Sequence, residues 1–367
     1  MDVMPGTLPD PAKQELDRLL TRMVEMGGSD LHLTVGIPPC ARVNGSLAPL
    51  PDLPTLTPAD TELLLRSVFS DEQWKRFELD QELDAAYALP GVSRFRVNVY
   101  RQRGSVGAAF RAIPHRIRGL DELGLPRSVE SFAHLPRGLV LVTGPTGSGK
   151  TTTLASLLDV ANKSRAGHIV TIEDPIEYLH SHAQCVVNQR EVGSDTADFN
   201  TALRHVLRQD PDIILVGELR DLETTSVAVT AAETGHLVLA TLHTQSAAQT
   251  IDRMIDIFPP HQQQQIRSQL ANCLQGVVTQ ALAPTPDGAS RTVICEVMMA
   301  TSAIRSLIRE NKVHQIPTFL QSSADVGMIS FDHHLAQRYA EHLVSRATAL
   351  EIAHDPNEFK RLARLEP

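Results

Sequence analysis

The chain has 367 residues, 42% of them hydrophobic and 21% charged, which gives it room for about two globular domains. A net charge of −9 provides no global field for nucleic acid or anionic lipid, and no apolar run reaches the roughly 18 residues a membrane span needs. Cys40, Cys185, Cys273 and Cys295 lie far apart with no C-x-x-C pair, which suits reduced, buried thiols and argues against a disulfide framework or a zinc site.

Residues 1–13, proline-rich and polar, are expected as a flexible extension, and with neither the basic start nor the apolar core of a signal peptide they imply a cytoplasmic chain. From Gln14 to Met26 apolar positions recur at helical spacing (Leu16, Leu19, Leu20, Met23), and Gly27-Gly28 stops the helix. Ser29 to Leu33 follows as a short strand with His32 on its polar face. Asn44-Gly45 between Ala41-Arg42-Val43 and Ser46-Leu47 signals a type I′ hairpin. Thr57 to Phe77 reads as helical and carries the one tryptophan, Trp74, into a core.

After the Pro90-Gly91 turn, Phe95, Val97 and Val99 alternate with Arg94, Arg96 and Asn98, so the two arginines share the face opposite the apolar set. Arg101, Arg103 and Arg111 extend this into a cationic ridge. On spacing alone it is either a solvated strand face or a set of guanidiniums offered to a neighbouring subunit's nucleotide. Residues 114–136 mix charges, glycines and prolines and are expected as a linker.

From Arg137 onward strands and helices alternate, which predicts an α/β unit with a parallel sheet. The apolar strand Leu139 to Val142 runs into Gly144-Pro145-Thr146-Gly147-Ser148-Gly149-Lys150-Thr151, a gapless G-x-x-x-x-G-K-[ST]. Thr152, expected with the loop residues at the nucleotide, opens a helix with Leu154, Leu157, Leu158 and Ala161 on one face. Strand, glycine-rich loop and helix N-terminus together cradle phosphates with backbone N–H groups, Lys150 contacts the β- and γ-phosphates, and the Thr151 hydroxyl ligates Mg²⁺.

The next strand, His168 to Ile172, ends in Glu173-Asp174-Pro175-Ile176-Glu177, three carboxylates where open α/β sheets bind ligands. Asp212 to Gly217 is another apolar strand and ends at Glu218, in the place of an acid that holds Mg²⁺ indirectly or polarises water. Asp221 caps the following helix, which Gly235 ends. Leu237 to Thr241 is flanked by His236 and His243, and His243 is a candidate γ-phosphate sensor because its ring can donate to phosphate. Ser246 caps a helix that ends at Pro259-Pro260, and a longer one carries Ile266, Leu270, Leu274 and Val277. A hairpin turns at Pro286-Asp287-Gly288, and short amphipathic helices over 303–310 and 331–343 make a small helical subdomain.

These motifs in this order resemble the PilT-type ATPases, which retract type IV pili, within the wider secretion ATPase superfamily. Residues 144–151 resemble the family's Walker A motif, 171–177 (TIEDPIE) its Asp box, 213–218 its atypical Walker B and 235–244 (GHLVLATLHT) its His box. Residues 27–33 (GGSDLHL) are similar to its opening motif and 94–98 to its arginine strand. The resemblance implies a PAS-like domain over 14–113, a RecA-like ATPase domain over 137–367, and a homohexamer with ATP bound between the two domains. It implies Glu177 as catalytic base, Glu173 and Asp174 as support for Mg²⁺ or water, and arginine fingers among Arg94, Arg96, Arg101, Arg103 and Arg111. Ala303 to Glu310 resembles the AIRNLIRE signature of retraction motors, with serine at 306. The implied partners are an inner-membrane platform protein of the PilC type and an accessory retraction ATPase, at the cytoplasmic base of the pilus machine, without insertion into the membrane.

An accessory motor or a secretion motor of the other direction shares all these nucleotide motifs. A nucleic-acid translocase shares the core, but an acidic chain with 4% aromatic residues offers little to line a channel. Asn162-Lys163-Ser164-Arg165 begins like a guanine-specificity motif and lacks the aspartate.

Overall fold

The structure, a computed structural model, describes residues 10–114 and 116–365. It divides into two compact units, Met1–His115 and Arg116–Pro367.

The first unit is a six-stranded antiparallel sheet: β1 (Gly28–Leu33), β2 (Cys40–Val43), β3 (Ser46–Pro49), β4 (Glu82–Leu89), β5 (Ser93–Gln102) and β6 (Ser105–Ile113), in the order β3-β2-β1-β6-β5-β4. The Asn44-Gly45 turn between β2 and β3 has φ of 50° and 83°, as a I′ turn requires. Helix Pro11–Glu25 lays Leu16, Leu19, Leu20 and Met23 into the core with Phe95, Val97 and Phe110.

Three expectations change here. The extension expected over 1–13 falls outside the described residues up to residue 9. Beyond it the helix already begins at Pro11, because the Asp10 carboxylate accepts from the Ala12 N–H and proline suits a first helical position. The helix expected over 57–77 is two, Pro58–Arg66 and Asp71–Asp80, each opened by a capping box, Thr57 with Asp60 and Ser70 with Gln73. The cationic ridge is cut by a hairpin turn at Arg103-Gly104, which leaves Arg101 and Arg103 at one end and pairs Arg96 of β5 with Arg111 of β6.

The second unit has a seven-stranded sheet: β7 (Gly138–Thr143), β8 (Gly167–Glu173), β9 (Cys185–Glu191), β10 (Ile213–Val216), β11 (Leu237–Leu242), β12 (Leu274–Pro284) and β13 (Arg291–Met299). Their order is β13-β12-β7-β11-β10-β8-β9, with β13 antiparallel and all other neighbours parallel. Every residue of β7, β10 and β11 is buried, as expected of central strands covered by helices on both faces.

The segment expected as a linker belongs to this second unit. Its short helix Leu120–Leu123 and 3₁₀ helix Arg127–His134 bury Leu120, Val129 and Phe132 in one core with β7 and helix Lys150–Ser164. A Cβ on Gly276 would lie 2.2 Å from the Phe132 ring, so the glycine makes room for it. The helix expected to run through Val277 ends at Cys273, and the β-branched run Val277-Val278-Thr279 continues as β12. At the C-terminal end, Ile304, Leu307 and Ile308 of helix Ser302–Arg309 are buried in the core of the second unit, and helices Phe331–Ala340, Arg346–Ile352 and Pro356–Leu362 close over Phe359.

The four cysteines are buried and free. Among the described residues no helix is long and apolar enough to cross a membrane. Replacing Phe132 by alanine should lower the unfolding free energy by about 3–5 kcal/mol. Urea unfolding of the whole chain would read this; an unchanged midpoint would mean that residues 116–136 do not share the core.

Candidate functional site

The phosphate-type loop hangs from the end of β7. Gly144 has φ 138°, and a Cβ there would come within 2.1 Å of the Gln280 carbonyl oxygen, so only glycine fits against β12 at that point. Helix Lys150–Ser164 begins directly from the loop, and its first N–H groups have no side-chain cap. The Ser148 hydroxyl is buried with no hydrogen-bond partner among the described residues. A loop of this kind, with an orphaned hydroxyl and uncapped amides at a helix start, has the chemistry to take phosphate oxygens.

Lys150 is 9% exposed, and its ammonium donates to the carbonyls of Gly144 (2.9 Å) and Pro145 (3.0 Å). Burial lowers its pKa, and the facing carboxylates of Glu218 and Glu177 oppose that without cancelling it. The lysine and both acids therefore share one field, although they come from three strand ends.

Glu218, two residues beyond β10, is held from two sides. Arg220 Nη2 lies 2.8 Å from one carboxylate oxygen and His243 Nε2 lies 3.1 Å from the other. Burial pushes the Glu218 carboxyl up, but Arg220 and His243 outweigh it and hold it below the usual carboxylate range. Strand pairing brings the two together: β10 lies beside β11, Leu219 N–H donates to the Thr241 carbonyl, and His243 follows β11 by one residue. His236 donates from its ring Nδ1 to the Ala231 carbonyl at 3.0 Å, at the other end of the strand, and takes no part.

The acidic stretch after β8 is built on β9. Gln189 donates to Glu173 (3.0 Å) and to the Tyr178 carbonyl (2.8 Å), and Glu191 accepts from Ile176 N–H (3.1 Å). Glu173 itself is buried, accepts also from the Thr171 hydroxyl at 2.7 Å, and has its pKa raised chiefly by burial. It is expected to support metal or water, and its Oε1 accepts both of these side-chain bonds within the acidic stretch. Asp174 and Glu177 are exposed, and Asp174 acts electrostatically on Arg220. The Thr152 hydroxyl, expected at the nucleotide, bonds Tyr178 Oη at 2.9 Å and ties the acidic stretch to the helix. Among the described residues no cluster of three or more His, Cys, Asp or Glu could hold a metal ion. Magnesium uses few protein oxygens together with waters and phosphates, and hydroxyl and carboxylate oxygens such as those of Thr151 and Glu218 suit it.

Two residues of this site escaped sequence reading. Arg220 sits two positions after Glu218 in a polar turn, and its alternation with the acid was its only signal. Gln280 lies far along the chain on β12, and nothing local marks it.

In the first unit, Arg42, Asp30, Arg111 and Arg96 stand opposite one another in one row across β2, β1, β6 and β5. Arg111 Nε meets the buried Asp30 at 2.8 Å and Arg42 lies 3.9 Å from it. Burial raises the Asp30 pKa, and the Ser29 hydroxyl with the Arg111 guanidinium overcome it, so the carboxyl stays below its ordinary range. Arg94 and Arg96 are on the face opposite Phe95, Val97 and Val99. Arg101 stacks over Phe77, with its guanidinium 5.4 Å from the ring centre.

A doubly covered parallel sheet with a glycine-rich loop between its strand β7 and a helix, and acids at the neighbouring strand ends, defines the second unit as a P-loop nucleoside-triphosphatase fold. A family profile described as "Type II/IV secretion system protein" matches residues 119–332. The type IV pilus retraction ATPase PilT of Pseudomonas aeruginosa is 48% identical over 345 residues, covering 94% of this chain and 100% of that protein. The type IV pilus ATPase PilU of the same organism is 42% identical, over 96% of this chain and 92% of that one. A crystal structure of the pilus retraction motor PilT with bound ADP superposes with a TM-score of 0.87 at 46% identity, covering 94% of this chain and 98% of that one. The chain belongs to the type II/IV secretion system protein family, in its branch of PilT-type pilus retraction ATPases.

The loop after His243 is anchored by a second buried acid. Glu296 of β13 accepts from Ala247 N–H at 2.7 Å, and burial, helped by Asp332, pushes its pKa up to about 7. A carboxyl raised in the folded state contributes fully below its unfolded pKa of about 4.3, and that contribution is lost as pH rises through about 7. Glu296→Gln should therefore gain stability relative to the parent as pH goes from 4.5 to 8, by roughly 3 kcal/mol in all. Urea midpoints measured across that range would check it, and a difference that does not vary with pH would refute it.

Proposed function

We propose that this chain hydrolyses ATP and uses the reaction to retract a type IV pilus. The observation that carries the reading is a phosphate-type loop whose Lys150 faces Glu177 and Glu218, in a chain nearly half identical to PilT along that protein's whole length. In this reading the loop amides and Lys150 hold the β- and γ-phosphates. Thr151 and Glu218 would hold Mg²⁺, which when bound would supply positive charge against the phosphates. Glu177, exposed and facing Lys150, accepts the proton of the attacking water. His243 and Arg220 hold Glu218, so a change at one strand end is felt at the other. Arg94, Arg96 and Arg111 stand as candidate fingers for the transferring phosphate.

The finer reading is a homohexamer at the cytoplasmic base of the pilus machine, working against an inner-membrane platform protein of the PilC type, with a PilU-like ATPase as a further partner. The greater similarity to PilT than to PilU favours the principal retraction motor over the accessory one.

Purified protein should split MgATP, and Lys150→Ala should lose about 10²–10³ of the turnover, as expected when one preorganised phosphate contact is removed. An active-site arginine should cost ~10³–10⁵ when changed to alanine. Activity that survives each of Arg94→Ala, Arg96→Ala and Arg111→Ala would remove these three from the mechanism.

Helix Ser302–Arg309 needs a test chosen by burial. A polar residue at Ile304 or Leu307 would open the core at a cost of several kcal/mol, on the order of 2–5, so lost motility there reports folding. Changes at exposed Ala303 and Arg309 leave the core intact. They should spare ATP turnover in vitro, and reduced twitching in a complemented host would assign this helix a part in retraction.

A further inference from the structure

We propose that Gln280 is a positioning residue for the nucleotide, one that sets the direction of a phosphate-binding amide from beneath the loop. This rests on the ATPase reading above. Gln280 follows Thr279, the last β12 residue registered against β7, and so sits under the point where β7 gives way to the loop. It is 2% exposed. Its Nε2 donates to the Ser148 carbonyl at 2.7 Å, and its Oε1 accepts from the Thr153 hydroxyl at 3.0 Å. One carboxamide thus grips the chain on both sides of Lys150, just before the helix and in its first turn.

The geometry gives the grip a direction. A trans peptide is planar, with its C=O and N–H pointing opposite ways. Drawing the Ser148 carbonyl down onto Gln280 turns the Gly149 N–H of the same peptide away from β12, toward the open side of the loop. Gly149 has φ 88°, and a Cβ there would meet Gln280 Nε2 at 3.1 Å, while one on Gly144 would strike the Gln280 carbonyl oxygen at 2.1 Å. The loop therefore lies against Gln280 at both ends, by backbone at Gly144 and by side chain at Ser148 and Gly149. Only an amide side chain offers a donor and an acceptor at this length, and glutamate would set a carboxylate against the Ser148 carbonyl.

An amide held in place before the nucleotide arrives contributes equally to ground state and transition state, so its loss raises KM with little change in kcat. Gln280→Met keeps the length and removes both hydrogen bonds; Gln280→Glu keeps the acceptor and removes the donor. Each should raise KM for MgATP, and Kd for ADP in a fluorescent-nucleotide titration, by about tenfold, with kcat within about twofold of the parent. A merely structural role would lower the melting temperature and leave KM where it was. Should the Gln280 variants fail to fold, Thr153→Val loosens the same grip from the helix side and should raise KM several-fold. Folded variants with parental KM, or with kcat reduced and KM unchanged, overturn the inference while leaving the ATPase reading intact. Parental protein that neither binds ADP nor splits ATP overturns both.

Discussion

A lysine ammonium buried at the start of a helix is the constraint around which the second unit is arranged. An uncompensated charge there would cost several kcal/mol or more. Lys150 is compensated by two loop carbonyls within 3.0 Å and by the fields of Glu177 and Glu218. Those acids can face it only because β7, β11, β10 and β8 run parallel as neighbours, so that their carboxyl ends open on the same side. The buried apolar strands thus set the register, the register sets the acids, and the acids make a buried lysine tolerable.

Much of this was legible from local pattern. The glycine spacing at 144–149 and the apolar runs of β7, β8, β10 and β11 are strong signals because buried parallel strands tolerate little else. So were Asp221 and Ser246 as helix caps, since each accepts from a backbone amide three residues on. What escaped reading depends on partners distant in the chain. Gln280 meets the loop across more than a hundred residues, and Phe132 finds its place only because Gly276 leaves it. Residues 114–136 therefore read as a linker, although Leu120, Val129 and Phe132 are committed to a core. Val277 fitted a helical repeat as well as a strand, and pairing with β7 decided it. Glu173 reads as a site acid from its neighbours, and its bonds to the Thr171 hydroxyl and Gln189, which the sequence does not announce, also brace the segment that carries Glu177.

The first unit shows a different economy of charge. Three arginines stand in a row with a single carboxylate, and that carboxylate is buried where solvent screens it least. Asp30 fixes Arg111 in one orientation and lets the row keep a net positive charge. A rigid guanidinium presents its donors with less loss of rotamer freedom than a free one, which is what recognition of a phosphate rewards.

The β12–β13 hairpin separates where this chain must keep its length from where it need not. Its shaft, through Gln275 and Gln280, clasps both Arg305 of helix Ser302–Arg309 and the phosphate-type loop, so slipping by one residue would turn both amides to the wrong face. Its tip at residues 286–290 is exposed and bonded mainly to itself and to Thr285, through Asp287 and Ser290. Added residues there would lengthen a solvated bend and leave the register alone, which makes the tip a natural point for attaching a reporter or for tolerated insertions.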